Sequence, residues 1–318
     1  MNPRREASER VGGRFEVLVL EPSPPAVDEA PWFADDPTDG ASLPKGKPAV
    51  SPITNTELTW EQLCASEPGL TGWCTDRWLG PWPRLEPLPA SFGETCGALH
   101  MLAEHVVAPA RYQANGKIGL RYTRRGFGTP FFGDDKQVRV EGAELIMERG
   151  ESEERAPIAT IAAAAQQVGV APGAPTDVYT PATPLEPERD LRIDERAALA
   201  LGAWCGFGAS VLEQLRWDFR ADDPSRVQLW PEHFDLAVEL GSEGGGRRAG
   251  YGLSPGDENH SEPYLYVTPW SENVSGSWWN DPYFHGASLG YAELLRAYDQ
   301  RGAALAFFRR AFSELSAA

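Results

Sequence analysis

The chain has 318 residues, 42% of them hydrophobic and 24% charged, with a formal net charge of −17. That length suits one large domain or two ordinary ones, with a core that needs neither disulfide nor metal. The acidic balance speaks against nucleic acid, whose affinity rests on a basic footprint, and against anionic membrane surfaces.

No apolar run approaches the roughly 18 residues of a membrane-spanning helix. The opening segment has one apolar stretch, Val17–Leu20, too short for a signal-peptide core, so the expected compartment is the cytoplasm. Cys64, Cys74, Cys96 and Cys205 form neither a CxxC pair nor a zinc-knuckle pattern, which points to buried free thiols.

Residues 1–90 read as a Pro/Trp-rich arm. RFEVLVLEP is one short strand stopped at Glu-Pro. A helical stretch opens at Thr59, with Gln62 as a partial capping box. Trp60, Trp73, Trp78 and Trp82 crowd this arm, which suits docking on a core, because disordered segments are poor in aromatics.

Residues 91–318 read as the core, in sub-units of about 91–190 and 191–318. Cys96, Leu99, Leu102, Val106 and Ala110 recur at helical spacing, and Asn115-Gly116 marks a turn. Ile118, Leu120 and Tyr122 alternate with polar residues, the pattern of a strand. GFG at 126–128 reads as a turn. Residues 136–150 read as two strands around Gly142, or one strand bulged there. Pro157 opens and Gly169 closes a helix, and residues 176–184 add a strand.

In the second half, Asp194 caps a helix over 194–219. Residues 226–241 read as one strand. Trp230, Phe234, Leu236, Val238 and Leu240 share one face, and His233, Asp235, Ala237 and Glu239 the other. The glycine-rich stretch 241–250 is a loop, 248–256 and 262–270 are strands, and the end is helical with a break at Gly302. Helices bracket groups of strands instead of alternating with them. The fold class is therefore α+β, with antiparallel sheets, helices on one face, and two helix–sheet–helix units in pseudo-repeat.

No nucleophile elbow, phosphate loop, HExxH or dinucleotide GxGxxG is present. The densest polar group lies in the second half. His233 and Asp235 sit two apart on one expected strand, and Asp257, Glu258, His260, Glu262, Tyr264 and Tyr266 follow. If the strands at 226–240 and 262–268 are neighbours, these groups converge. Two histidines and a carboxylate suit zinc or non-haem iron, and equally general acid–base work. They also suit a histidine packed beside a core Phe and a solvated DENHSE loop. The candidate catalytic set is His233, Asp235 and His260; no metal ligands are assigned and the cofactor stays open.

Trp270, Trp278, Trp279, Tyr283, Phe284 and His285 follow closely. Large apolar rings with one polar handle suit a small-molecule pocket, or a minicore under a long loop. The candidate ligand-binding set is Trp230, Tyr264, Tyr266, Trp278, Trp279 and Arg121. Arg121, Arg124 and Arg125 suit a carboxylate or phosphate, or pairing with the acidic excess. His100 and His105 lie five apart on the first helix and face different ways, so they make no joint site.

Three stretches carry a resemblance: ETCGALHMLAEHVVAPARYQ with its TLHM-like core at Gly97–Met101, LWPEHFDLAVEL with Trp230 and Phe234–Ala237, and GLSPGDENHSEPYLYVTPWSE. Together they resemble a bacterial family of unknown function from high-GC soil bacteria, over residues 93–318. Ser254 stands where that pattern has Trp before Pro-Gly, and His233 departs from it more than Asp235 does. The resemblance implies domain limits and no named activity.

Two functions follow. One is a small-molecule binding protein, or an enzyme of undefined reaction, with an aromatic-lined pocket. The other is a non-catalytic structural or interaction domain acting through the arm.

Overall fold

In a computed structural model of the chain, the described residues are 16–18, 49–51 and 84–317, apart from 124, 131, 133–135, 150–151 and 220. Glu16–Leu18 (β1), within the strand expected in the arm, pairs antiparallel with Ala49–Ser51 (β2). The four arm tryptophans, Cys64, Cys74 and the helix opened at Thr59 lie outside the described residues.

The fold is α+β and repeats one plan twice. The first unit opens with Phe92–Leu102 (α1), which continues through a π-helical turn, Ala103–Val107, into Ala108–Asn115 (α2). Gly116, at φ +74°, ends it where the Asn-Gly signal predicts. A five-stranded antiparallel meander follows: Arg121–Thr123 (β3), Gly126–Gly128 (β4), Lys136–Glu141 (β5), Glu144–Arg149 (β6) and Ser152–Pro157 (β7). Ile161–Val168 (α3) closes the unit.

The second unit opens with Glu195–Asp218 (α4). Its meander is Gln228–Trp230 (β8), Asp235–Leu240 (β9), Ala249–Ser254 (β10), Tyr264–Pro269 (β11) and Ala287–Gly290 (β12). Tyr291–Arg296 (α5) and Gln300–Ala317 (α6) end it.

Several local expectations are corrected. GFG at 126–128 is a buried strand, not a turn, because β4 lies so close to β5 that only glycine fits. A Cβ at Gly126 would stand 1.9 Å from the Val140 carbonyl oxygen. Pro157 ends β7, and α3 starts later, where the Thr160 hydroxyl accepts from the Ala163 N–H. β7, with the sequence SEERAP, is a polar edge strand without alternation, and sequence periodicity missed it. Residues 176–184 form turns, not a strand. The final helical break falls at residues 297–299, where Asp299 accepts from the Gly302 N–H at 2.8 Å, so Gly302 lies inside α6.

The two meanders meet edge to edge. Leu120, just before β3, exchanges both backbone hydrogen bonds with Leu229 of β8, at 2.8 and 2.9 Å. The first strand of each unit thus meets the other across a seam. Beneath the seam runs α4, packed on β3 and β4 of one sheet and on β9 and β10 of the other. Asp194 caps it as predicted, accepting from the Ala197 N–H at 2.9 Å. Trp204 is buried and donates its indole N–H to the Ser254 carbonyl at 3.0 Å, so its one polar atom is satisfied.

Within the described residues α4 is the one helix long and apolar enough to cross a membrane, contrary to the sequence expectation; 72% of that stretch is buried inside the fold as its core helix. Cys96 and Cys205 are buried free thiols, and burial pushes Cys96 up to about 12. Packing already begins before residue 91. Leu85 is buried, its N–H donates to the Gln300 side chain at 2.8 Å, and Arg84 donates to carbonyls at the end of α5.

Two glycines of similar helical setting separate propensity from packing. A Cβ at Gly202 of α4 would lie 2.3 Å from the Arg125 backbone, whereas Gly97 of α1 has nothing within 4 Å. Gly97→Ala is expected to stabilise the chain by about 0.5–1 kcal/mol. Gly202→Ala is expected to destabilise it by about 1–3 kcal/mol, because α4 must move off the β3–β4 turn. Urea unfolding of the two variants beside the parent chain checks this.

Candidate functional site

The stretch WPEHFD is a hairpin turn, not the middle of a strand. Pro231 has no N–H to give a ladder, so β8 stops at Trp230 and β9 starts at Asp235. The turn closes with the Phe234 N–H on the Trp230 carbonyl at 2.7 Å. Phe234 takes φ +55°, a left-handed conformation costly for a bulky residue, by about 1–3 kcal/mol. Its ring is buried between Phe127, edge-on at 5.0 Å, and His100, stacked at 5.0 Å. His100 in turn donates its Nε2–H to the Pro231 carbonyl at 2.9 Å. Burial lowers the pKa of His100, which favours the neutral ring.

This turn corrects the expected pairing of His233 with Asp235. His233 lies in the turn and is exposed, whereas Asp235 begins β9 and is 5% exposed. Trp230 and Phe234 likewise do not share a face. Trp230 pairs with Asp235 across the hairpin, so these two project to the same side.

The condition that the 226–240 and 262–268 strands be neighbours is not met. β10 lies between β9 and β11. Tyr266 nonetheless reaches Asp235, because it pairs with Gly252, which has no side chain. A Cβ there would stand 2.3 Å from Tyr266 Cζ. The Tyr266 ring crosses β10 over that glycine, and its hydroxyl donates to Asp235 Oδ2. Burial pushes the Asp235 carboxyl up, and burial with the Asp235 charge pushes the Tyr266 hydroxyl up.

One row of this sheet face reads Gln228, Ala237, Gly252 and Tyr266. The bridge at Leu120 and Leu229 sets Arg121 opposite Gln228 across the seam, extending that row. The next row holds Trp230, Asp235, Ser254 and Tyr264. Asp235 Oδ1 and Gln228 Oε1 are both buried without a hydrogen-bond partner. Of the expected ligand set, Tyr266 touches Asp235, Trp230 and Tyr264 share its row, and Arg121 stands farther off, across the seam beyond Gln228.

Other expected members do not. His260, in the β10–β11 loop, bonds Asp281 Oδ2 through Nε2 at 3.0 Å and faces Asp257 Oδ1 through Nδ1 at 3.4 Å. Its ring stacks on Tyr264 at 4.1 Å, and Tyr264 donates to Asp257 at 2.6 Å. His260 clips the 257–262 loop to the 281–284 loop and is one ring away from the Asp235–Tyr266 pair. The two carboxylates lie toward opposite nitrogens of the imidazole, and only Asp281 hydrogen-bonds it; Nδ1 makes no hydrogen bond. Among the described residues no three of His, Cys, Asp and Glu group as a metal site.

Trp278 packs on Phe307 of α6 at 5.4 Å and edge-on to Trp279, with Arg310 over its ring; this is the minicore reading. Arg125 pairs with Glu141 at 3.2 Å, and Arg124 lies outside the described residues.

The sequence pattern missed a buried polar group behind the turn. The π-helical turn places Glu104 and His105 both inside the fold. Glu104 accepts from the Ala182 and Thr183 N–H groups at 2.9 and 2.7 Å, and from the Thr183 hydroxyl at 2.5 Å. His105 bonds the Thr183 carbonyl and accepts from the Ala174 N–H. Glu104 lies 3.8 Å from His100. Burial pushes up the Glu232 carboxyl and the Tyr179 hydroxyl, and Glu232 Oε2 and the Tyr179 hydroxyl have no partner. A five-residue helical offset separates His100 from His105 in a regular α-helix; the π turn was the missing signal.

All three stretches singled out in the sequence meet here. The first supplies His100, the second Phe234 and Asp235, the third Tyr266. Comparison with known proteins finds no match: no family model, no curated protein and no solved structure is similar to the chain.

Because burial raises the Asp235 pKa above the ordinary 3.8, the folded chain holds this proton over a pH range where the unfolded chain has lost it. Stability therefore falls as pH rises through that range. Asp235→Asn keeps an acceptor for Tyr266 and removes the buried charge. The variant is expected to melt at or above the parent's midpoint at pH 7–8, with the gap closing as pH falls into the carboxylate range. Thermal scans from pH 4 to 8 read this directly; a parent chain more stable than the variant at pH 8 contradicts it.

Proposed function

We propose that this chain is a small-molecule binding protein whose site is the sheet face around Asp235, bordered by Gln228, Trp230, Tyr264, Tyr266 and the exposed turn at His233. The observation that carries this is Asp235 Oδ1, a carboxylate oxygen buried without a partner beside an equally bare Gln228 amide oxygen. Leaving a buried polar atom unpaired costs about 1–3 kcal/mol, and folded chains keep such atoms where a ligand or ordered water answers them. The left-handed Phe234, which aims the turn, adds a second local cost of the kind that clusters at binding and catalytic sites.

Should the bound molecule react, Asp235 and Tyr266 are the groups placed to hold and move a proton. His260 supports the loops beside them. The three stretches that resemble a bacterial family of unknown function supply the centre of this site, which is why membership of that family is part of the proposal. Buried, reduced thiols at Cys96 and Cys205 suit a cytoplasmic protein. The alternative interaction domain drew on the aromatic arm, outside the described residues, and no described feature favours it.

A thermal-shift screen of a metabolite library on the full chain tests the reading. At least one compound is expected to raise the midpoint of the parent by several degrees and to leave Asp235→Asn unmoved. A library without such a compound, or hits that shift both proteins equally, overturns it.

A further inference from the structure

We infer that the group received by Asp235 is a compact organic cation, an alkylammonium or guanidinium head. This rests on the binding reading above and names the chemistry of its ligand.

Beside Asp235 the bare polar atoms are acceptors, and the guanidinium groups of Arg121 and Arg226 farther along have interactions of their own. Asp235 Oδ1 and Gln228 Oε1 are buried and bare on side chains only 5% and 4% exposed, and Glu232 Oε2 in the adjoining turn is bare as well. The hydroxyls that could have donated are already committed: Tyr266 to Asp235 Oδ2, Tyr264 to Asp257 Oδ2, and Ser254 to Tyr264. A ligand answering these oxygens must bring N–H or O–H donors.

Charge narrows the choice. The chain carries −17 overall, and burial, with the charges of Asp235 and Glu104 adding to it, pushes the Glu232 carboxyl up. An anionic head would meet acceptor oxygens and this negative field. Of the basic groups nearby, Arg121, across the seam, has interactions of its own, and His233, on the exposed turn, offsets part of the burial penalty at Asp235 and Glu232.

A cation does two things that a neutral donor does not. It offsets the penalty burial places on the Asp235 carboxylate, through a charge-assisted hydrogen bond. It also suits the rings at the rim, Trp230, Tyr264 and Tyr266, whose faces attract positive charge. The mixed lining of two carboxylates, one amide oxygen and aromatic rings is the lining of a site for an amine.

Isothermal titration of the full chain with n-butylammonium, n-butylguanidinium, n-butanol and butyrate, at one ionic strength, tests this. The two cations are expected to bind saturably at one site, and the alcohol and carboxylate to show no saturable heat. Asp235→Asn should weaken cation binding by about tenfold or more, the worth of one charge-assisted hydrogen bond. Gln228→Leu, which keeps the charge and removes the second acceptor, should weaken it severalfold; circular dichroism and the melting midpoint confirm that both variants fold. Butyrate or butanol binding at least as well as the cations, with loss in Asp235→Asn, overturns the cation and leaves the site standing. Cation binding that both variants retain places the cations elsewhere and overturns the inference. Absence of saturable binding by any of the four probes overturns it also; if the library screen is blank as well, the site itself falls.

Discussion

Everything in this fold depends on how closely α4 can lie under two sheets at once. Gly202 brings the helix against the backbone of the β3–β4 turn, and Gly208 brings it against Leu253 of β10. Glu195, at its start, accepts from the Ala143 N–H and holds the β5–β6 turn. One helix therefore sets the height of both meanders, and the Leu120–Leu229 backbone pair needs no side chains to join them. With the apolar faces of both sheets turned to the helices, the opposite face is left to polar and aromatic residues. Arg121, Gln228, Asp235 and Tyr266 share that face because of the seam, although Arg121 and Tyr266 come from different units.

The site is where local rules are broken together. A bulky residue takes a left-handed conformation, a carboxylate is buried without full pairing, and a glycine interrupts β10 under a tyrosine ring. Each alone costs stability. Elsewhere the Trp204 indole finds a carbonyl and Glu104 collects three donors. Where a buried atom is bare, as at the Tyr251 hydroxyl, no left-handed bulky residue or bare carboxylate stands beside it. The contrast is the reason to place function at the β8–β9 turn and not at the π turn or the Trp278 minicore.

Much of the architecture was legible in the sequence, because amphipathic periodicity and capping are local. Asp194, Gly116, Gly169 and the alternation around Val138 and Val140 each carry their own signal. What failed was whatever depends on a neighbouring strand. GFG is a strand only because β5 lies against it, and β7 is a strand only because β6 pairs with it. WPEHFD keeps a strand-like hydrophobic pattern through a tight turn, so parity counted across Pro231 put His233 and Asp235 together wrongly. The residue that betrays the turn is the proline, which cannot serve a central ladder.

The candidate site shows the same division. Asp235, Trp230, Tyr264 and Tyr266 were recognisable as chemistry-bearing residues, but in the sequence their convergence hung on the two strands being adjacent. It comes instead from a glycine on the strand between, and Gly252 gave no sign of this in a stretch that also holds Gly250. His260 resembled a metal ligand because sequence lists it among carboxylates without saying which nitrogen each one faces. Once Asp257 and Asp281 are seen on opposite sides of the ring, it is a clip between loops. What remains at the centre is a carboxylate whose free oxygen, with the amide oxygen beside it, asks for a donor. That demand follows from the hydrogen-bond inventory of one sheet face and is independent of any family resemblance.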